Sequence, residues 1–98
     1  MDRHPEEVIA RTRAAVAALA ELGVVAVVTG SLARRTFDAH SDVDLLITAC
    51  PRALKYAIEH IVEDKLGGLP FDVTYLDELP EWKVAGFTQG AVDASELG

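Results

Sequence analysis

The stretch Gly30–Ile47, GSLARRTFDAHSDVDLLI, limits the fold more than any other in the chain. A β-branched run, Val24–Thr29, delivers the backbone into Gly30-Ser31, and a second apolar run follows at Val43–Thr48. Short runs rich in Val and Ile, bounded by Gly and Asp, favour strands over helices. The first run lacks alternation, which predicts a central strand covered on both faces. Ten residues separate Ser31 from Asp42, and Asp44 follows two positions later at the mouth of the second run. Ser31–Thr36 reads as a short helical turn and Phe37–His40 as a loop.

The rest of the chain supplies cover for these strands. Pro5–Leu22 predicts a helix: Pro5 suits the first helical position, Glu6 and Glu7 complement the positive end of the dipole, and Gly23 supplies the stop. Val8, Thr12, Ala15, Leu19 and Leu22 share its inner face, with Arg11, Arg13 and Glu21 opposite. Pro51 opens a second long helix ending near Leu66, buried through Leu54, Ala57, Ile58, Ile61 and Val62 and stopped by Gly67-Gly68. Phe71–Leu76 alternates as a third strand. Pro80 opens a short helix through Ala85, with Trp82 and Val84 as packing residues and Trp82 read as a core or interface anchor in preference to a nucleotide stacker. The tail from Gly86 is weakly patterned, and Ala91-Val92 can pair as a short edge strand.

With 98 residues the chain has room for a single domain, 1–98, built round one core. Half of it is hydrophobic, yet no apolar run approaches the roughly 20 residues needed to span a bilayer. The N-terminus lacks the basic and then apolar pattern of a signal peptide, so no membrane is expected and the cytoplasm is the default compartment. A net charge of −7 argues against unassisted binding of DNA or RNA. The single cysteine, Cys50, reads as a half-buried structural thiol, and His4, His40 and His60 lack metal-ligand spacing.

The acidic pair carries the chemistry. Residues two apart on a strand point the same way, so Asp42 and Asp44 present their oxygens to one point. Their mutual repulsion is relieved by a divalent cation, and all-oxygen ligands suit Mg²⁺ or Mn²⁺ better than Zn²⁺. Gly30-Ser31, where a strand enters a helix start, offers free backbone amides and a hydroxyl to a phosphate, without the Gly-Lys-Ser/Thr ending of a Walker A loop. Arg34 and Arg35 stand within reach of phosphate oxygens.

A shared site fixes topology. Gly30-Ser31 ends the first strand and Asp42–Asp44 begins the second, so those strands must be antiparallel. Asp72 begins the third strand after a full helical crossover, which favours a parallel partner. Three carboxylates then meet at one end of a small mixed sheet, a constellation suited to two-metal nucleotidyl transfer, with Asp72 also available as general base.

Gly30-Ser31, ten residues, then Asp42-Val43-Asp44 resembles the signature of the polymerase-β-type nucleotidyltransferase superfamily. The short length is similar to its minimal nucleotidyltransferase branch, and Asp72 matches that branch's third carboxylate. The resemblance covers about Gly23–Leu79, and the leading helix also fits. It implies an α+β two-layer fold, a small mixed β-sheet with helices in the order α-β-α-β-α-β-α. It implies that Gly30 and Ser31 bind the triphosphate, with Arg34 and Ser41 among the nucleotide contacts, and that Asp42, Asp44 and Asp72 hold the metals.

Members typically pair with a HEPN-domain ribonuclease toxin as its antitoxin, some by transferring AMP from ATP onto a toxin tyrosine. The resemblance therefore implies a protein adenylyltransferase with Mg²⁺ as cofactor, ATP as substrate and a hetero-oligomer with the toxin. Two alternatives stand beside it: an antitoxin that caps the toxin without turnover, and a small-molecule adenylyltransferase subunit of the aminoglycoside-resistance type. One departure is Arg35, where the family often has glycine, a change that would alter the turn placing Arg34.

Overall fold

A computed structural model describes residues 5–38 and 40–97; His4 lies outside them, as does Ala39 within the expected Phe37–His40 loop. The chain runs α1 (Pro5–Ala20), β1 (Val25–Thr29), α2 (Gly30–Ala33), β2 (Val43–Ala49), α3 (Lys55–Leu66), β3 (Phe71–Tyr75) and α4 (Glu81–Thr88). Short 3-10 turns precede α3, follow β3 and close the chain at Ala94–Glu96. The α+β architecture and the element order are those expected.

The three strands form one sheet in the order β1-β2-β3, with β1 and β2 antiparallel and β2 and β3 parallel across the α3 crossover. Directly paired residues share a face, so the register sorts the sheet into two sides. One side carries the row Val28, Leu45 and Val73. It meets Val8, Ala15 and Leu19 of α1 and Ile58, Val62 and Leu66 of α3 in the buried core. Full burial of each large aliphatic side chain contributes about 1.5–3 kcal/mol, so this layer carries most of the stability. The other side carries Thr29, Asp44 and Asp72, with Val27, Leu46 and Thr74 in the next row.

The sequence expectation for β1 is corrected. The central strand is β2, and β1 lies at the edge with Val25 exposed and Val28 buried. Its β-branched residues reflect strand propensity, and the missing outer neighbour is supplied late in the chain. Val28 N donates to Val92 O at 2.8 Å, and Val92 N returns the bond at 2.9 Å. A paired edge is a protected edge, so Ala91-Val92 does pair, as a single bridge.

Two further corrections concern α1. The helix stops at Ala20, so Leu22 falls in the turn before Gly23, which has φ +82°, and is 44% exposed. Arg13, expected on an idle outer face, ties down the tail: its Nε donates to Ala94 O at 3.0 Å and its Nη2 to Leu97 O. Ala94 and Leu97 are thereby part of the core. Thr12, polar on the inner face, is satisfied by donating to Val8 O at 2.7 Å.

The largest departure is α4. None of its residues is buried, and Trp82 is 78% exposed. Trp82 is therefore no core anchor, and Val84 is only partly covered. The connection leading to α4 is fastened instead by Lys55, whose Nζ reaches both Asp77 and Glu78 at 2.9 Å and lies 5.0 Å from the Tyr75 ring centroid.

Candidate active site

The register places Thr29 opposite Asp44 and Asp44 opposite Asp72, a single row across the three strands. The antiparallel and parallel pairings thus bring the end of β1 to the starts of β2 and β3, as a shared site requires. Asp42 stands just before β2 and is exposed, Asp44 is half-buried, and Asp72 is exposed on the edge strand. Asp44 is the electrostatic centre of the row. Burial pushes its carboxyl above the usual carboxylate range, the charges of Asp72 and then Asp42 push it further, and Arg34 pulls it back. The carboxylates thus remain mutually repulsive with only one guanidinium in relief.

Gly30 is what lets the turn after β1 come this close to Asp44. Its φ is +70°, and a Cβ there would overlap Asp44 Oδ2 and lie 3.0 Å from the carboxylate carbon. Any side chain would meet both a strained backbone and the acid itself. Thr29 precedes α2 as its cap, with an extended backbone and no side-chain capping bond, so Ser31 lies inside the first turn and not at the cap. The Ser31 carbonyl accepts from Thr36 N at 2.8 Å.

Arg35 resolves the departure from the family's glycine. It adopts φ +61°, the left-handed conformation that glycine takes at no cost. The turn thus uses a left-handed residue at this position, and it is Arg35 that carries the strain, at about 1–2 kcal/mol. Arg34, the residue before it, stays on the Asp44 side.

These residues open into a cavity of about 660 Å³, within the roughly 300–1,000 Å³ of small-molecule sites. Its sheet wall is Thr29, Gly30, Arg34, Asp44, Asp72 and Thr74; its other wall is α4 and the turn after it, through Trp82, Lys83, Phe87 and Gln89. A larger depression of about 1080 Å³ lies between α1 and α3, edged by Leu22, Tyr56 and His60. It holds none of the strand-borne carboxylates or the Gly30 turn, so chemistry and not size identifies the site.

Of the expected site residues, Gly30, Arg34, Asp44 and Asp72 line this cavity, while Ser31, Ser41 and Asp42 lie outside its wall. Ser41 is engaged locally: its Oγ donates to Asp38 Oδ1 and accepts from Asp38 N, both at 3.1 Å. His40 N also donates to Asp38 Oδ1, and these bonds hold the Asp38 carboxyl below its usual range. This knot of bonds sets the loop that leads into Asp42. Among the described residues, no three His, Cys, Asp or Glu side chains stand together as a ready-made metal cluster. The oxygen donors of Asp44 and Asp72, side by side and unneutralised, suit a hard divalent cation.

The cavity also contains residues that the motif did not flag. Thr74 was available from period two, since it lies two residues beyond Asp72 on the same strand face. Thr29 was available from its place directly before Gly30. Trp82 reads in the sequence as a core or interface anchor ahead of a nucleotide stacker, Lys83 carries no signal, and Phe87 and Gln89 fall in the weakly patterned tail from Gly86.

A family model described as a nucleotidyltransferase domain matches residues 9–91. No curated protein and no solved structure matches the chain significantly. The family match runs from early in α1 to the tail beyond α4, spanning the whole acidic row and the Gly30 turn, and the chain belongs to the nucleotidyltransferase domain family of the polymerase-β-like superfamily.

Proposed function

We propose that this chain, as one minimal nucleotidyltransferase domain over 1–98, transfers AMP from ATP to a hydroxyl, a tyrosine of a partner HEPN-domain ribonuclease toxin, and so acts as its antitoxin in the cytoplasm. Nucleotidyltransferase domains generally use a nucleoside triphosphate and a divalent metal, and the family membership carries that much. The observation supporting a working site is the Thr29–Asp44–Asp72 row closed by the Gly30 turn, with Asp44 half-buried beside two other carboxylates.

In this reading Asp44 and Asp72, joined by Asp42 at the strand mouth, hold Mg²⁺ or Mn²⁺. Bound there, the metal supplies charge stabilisation at the α-phosphoryl group and activates the attacking hydroxyl. The Gly30-Ser31 turn and Arg34 orient the triphosphate, with Ser41 setting the Asp42 loop through Asp38. The acceptor oxygen bonds to the α-phosphorus, the bond to the bridging oxygen breaks, and pyrophosphate leaves. Asp72, exposed at the sheet edge, takes the acceptor's proton. An exposed site beside a half-covered helix favours an acceptor that brings its own binding surface.

The test is to incubate the chain with ATP, Mg²⁺ and the toxin and weigh the toxin. An added AMP is the expected result. A toxin neutralised with no added mass, by wild type and by Asp42→Asn/Asp44→Asn alike, would favour a capping antitoxin. Turnover onto a small acceptor with no toxin present would favour the small-molecule enzyme.

A further inference from the structure

The helix α4 has no packing role that its composition would lead one to expect. Its sequence, EWKVAGFT, includes Trp82, Val84, Ala85 and Phe87, and yet none of its residues is buried. In a domain with one small core, leaving the only tryptophan 78% exposed forgoes the largest apolar contact the chain owns. Where that tryptophan stands is informative. Trp82 and Phe87 face the same cavity as Gly30, Asp44 and Asp72, across from the phosphate turn.

Charge runs the same way. Among the described residues, Arg11 is paired with Glu7 and Lys55 with Asp77 and Glu78, whereas Arg34 and Lys83 form no ion pair. Arg34 and Lys83 both line this cavity, while Arg35, Arg52 and Lys65, which also form no ion pair, stand outside it. In a chain of net charge −7, two free cations beside two carboxylates suit a bound polyanion with its own metal better than they suit solvent. The Lys83 ammonium lies 5.1 Å from the Trp82 ring centroid, on one face of the indole, which leaves the opposite face for another ring.

We propose that α4 is the nucleobase platform of the site: the base of the nucleoside triphosphate stacks on Trp82, with Phe87 beside it and Lys83 behind, while the phosphates lie at Gly30 and Arg34. This rests on the nucleotidyltransferase reading and adds the place and chemistry of base recognition. Stacking accepts any base but holds the larger purines more tightly, because every base has a π face and purines have more of it. Base preference then follows ring area, ATP and GTP ahead of CTP and UTP, with little discrimination between the two purines.

The single tryptophan makes the test direct. The full chain is titrated in Mg²⁺ with ATP, with CTP and with inorganic triphosphate, following tryptophan emission and, separately, binding heat. Expected are quenching by ATP, less by CTP and none by triphosphate. Trp82→Ala weakens ATP by about 10-fold or more, leaves triphosphate binding alone, and leaves the melting temperature unchanged because the side chain is exposed. Trp82→Phe retains an intermediate affinity. ATP that binds by heat, with emission unmoved and Trp82→Ala equal to wild type, overturns the platform and leaves nucleotidyl transfer standing. Emission that responds to the toxin and not to ATP overturns it in favour of a protein anchor. Failure of both ATP and triphosphate to bind removes the enzymatic reading and the platform with it.

Discussion

The two faces of the sheet are built from the same strands, one residue out of step, and they solve opposite problems. The face carrying Val28, Leu45 and Val73 meets α1 and α3 and is sealed. The face carrying Thr29, Asp44 and Asp72 meets α4, which buries nothing of its own. Leu46 alone on that face is fully buried, at the strand centre one row behind the acids. The comparison teaches a division of labour: residues on the sealed face hold the fold, while the open face keeps like charges together at a cost to stability. The open face tolerates that only because the sealed one holds the strands in register.

The sharpest way to break this comparison is to change one residue on each face and read activity and stability separately. Asp44→Asn and Asp72→Asn should each lower nucleotidyl transfer by about 10³-fold or more, equivalent to about 4 kcal/mol of barrier. Neither should lower the melting temperature. Turnover assays beside calorimetry check this, and a large loss of Tm in either variant would mean that the acids are structural. Ile58→Ala, on the sealed face and fully buried, should do the reverse. It should cost about 3 kcal/mol, a fall in Tm of about 12–24 °C for a domain of this size. Activity per folded molecule should not change at a temperature where the variant remains folded.

The same division explains what could be read from the chain beforehand. Strand directions, the register of the acids and the element order were legible because Gly30-Ser31, Asp42–Asp44 and Asp72 can share a site in only one arrangement. The sealed face was legible from Ala15, Leu19, Ile58 and Val62 at helical spacing. The failures lie where a local pattern was completed by a distant partner. Val24–Thr29 looked central because it is almost wholly β-branched and lacks alternation, but its outer neighbour is Val92. Arg13 looked idle because its acceptors lie more than eighty residues away, at Ala94 and Leu97. Trp82 and Val84 looked like packing residues because apolar composition does not say whether a helix faces protein or an open cavity, and Phe87 lay in the weakly patterned tail from Gly86.

A smaller effect tests the turn that joins the two faces. Arg35 sits at φ +61° in the tight bend after α2, with its side chain exposed. Arg35→Gly removes the left-handed strain but adds backbone freedom to the unfolded chain, so the net gain should be about 0.5–1 kcal/mol. That corresponds to a rise in Tm of about 2–8 °C. Since Arg34 keeps its place beside Asp44, the KM for ATP should stay within about twofold. A large rise in KM would show that Arg35 itself holds phosphate.

The smallest effect is the most direct measure of what the open face costs. The Asp44 carboxyl is raised above its unfolded value by burial first, then by Asp72 and Asp42, against the pull of Arg34. Between the unfolded and the folded pKa, the folded chain binds more protons than the unfolded one. Stability therefore falls as pH rises through the folded value, and the penalty is fully present above it. Asp44→Asn lacks that penalty. In EDTA at neutral pH the variant should melt a few degrees above wild type, and the gap should close as pH drops towards the unfolded carboxylate value. The group is partly solvated, so the gap should also shrink in high salt. Adding Mg²⁺ should raise the wild type and not the variant, reversing their order, because a ligand bound only by the folded state stabilises that state. A variant less stable than wild type in EDTA at neutral pH would mean that the Asp44 carboxylate is held by favourable contacts, and the contrast between the sealed face and the open one would fail at its central residue.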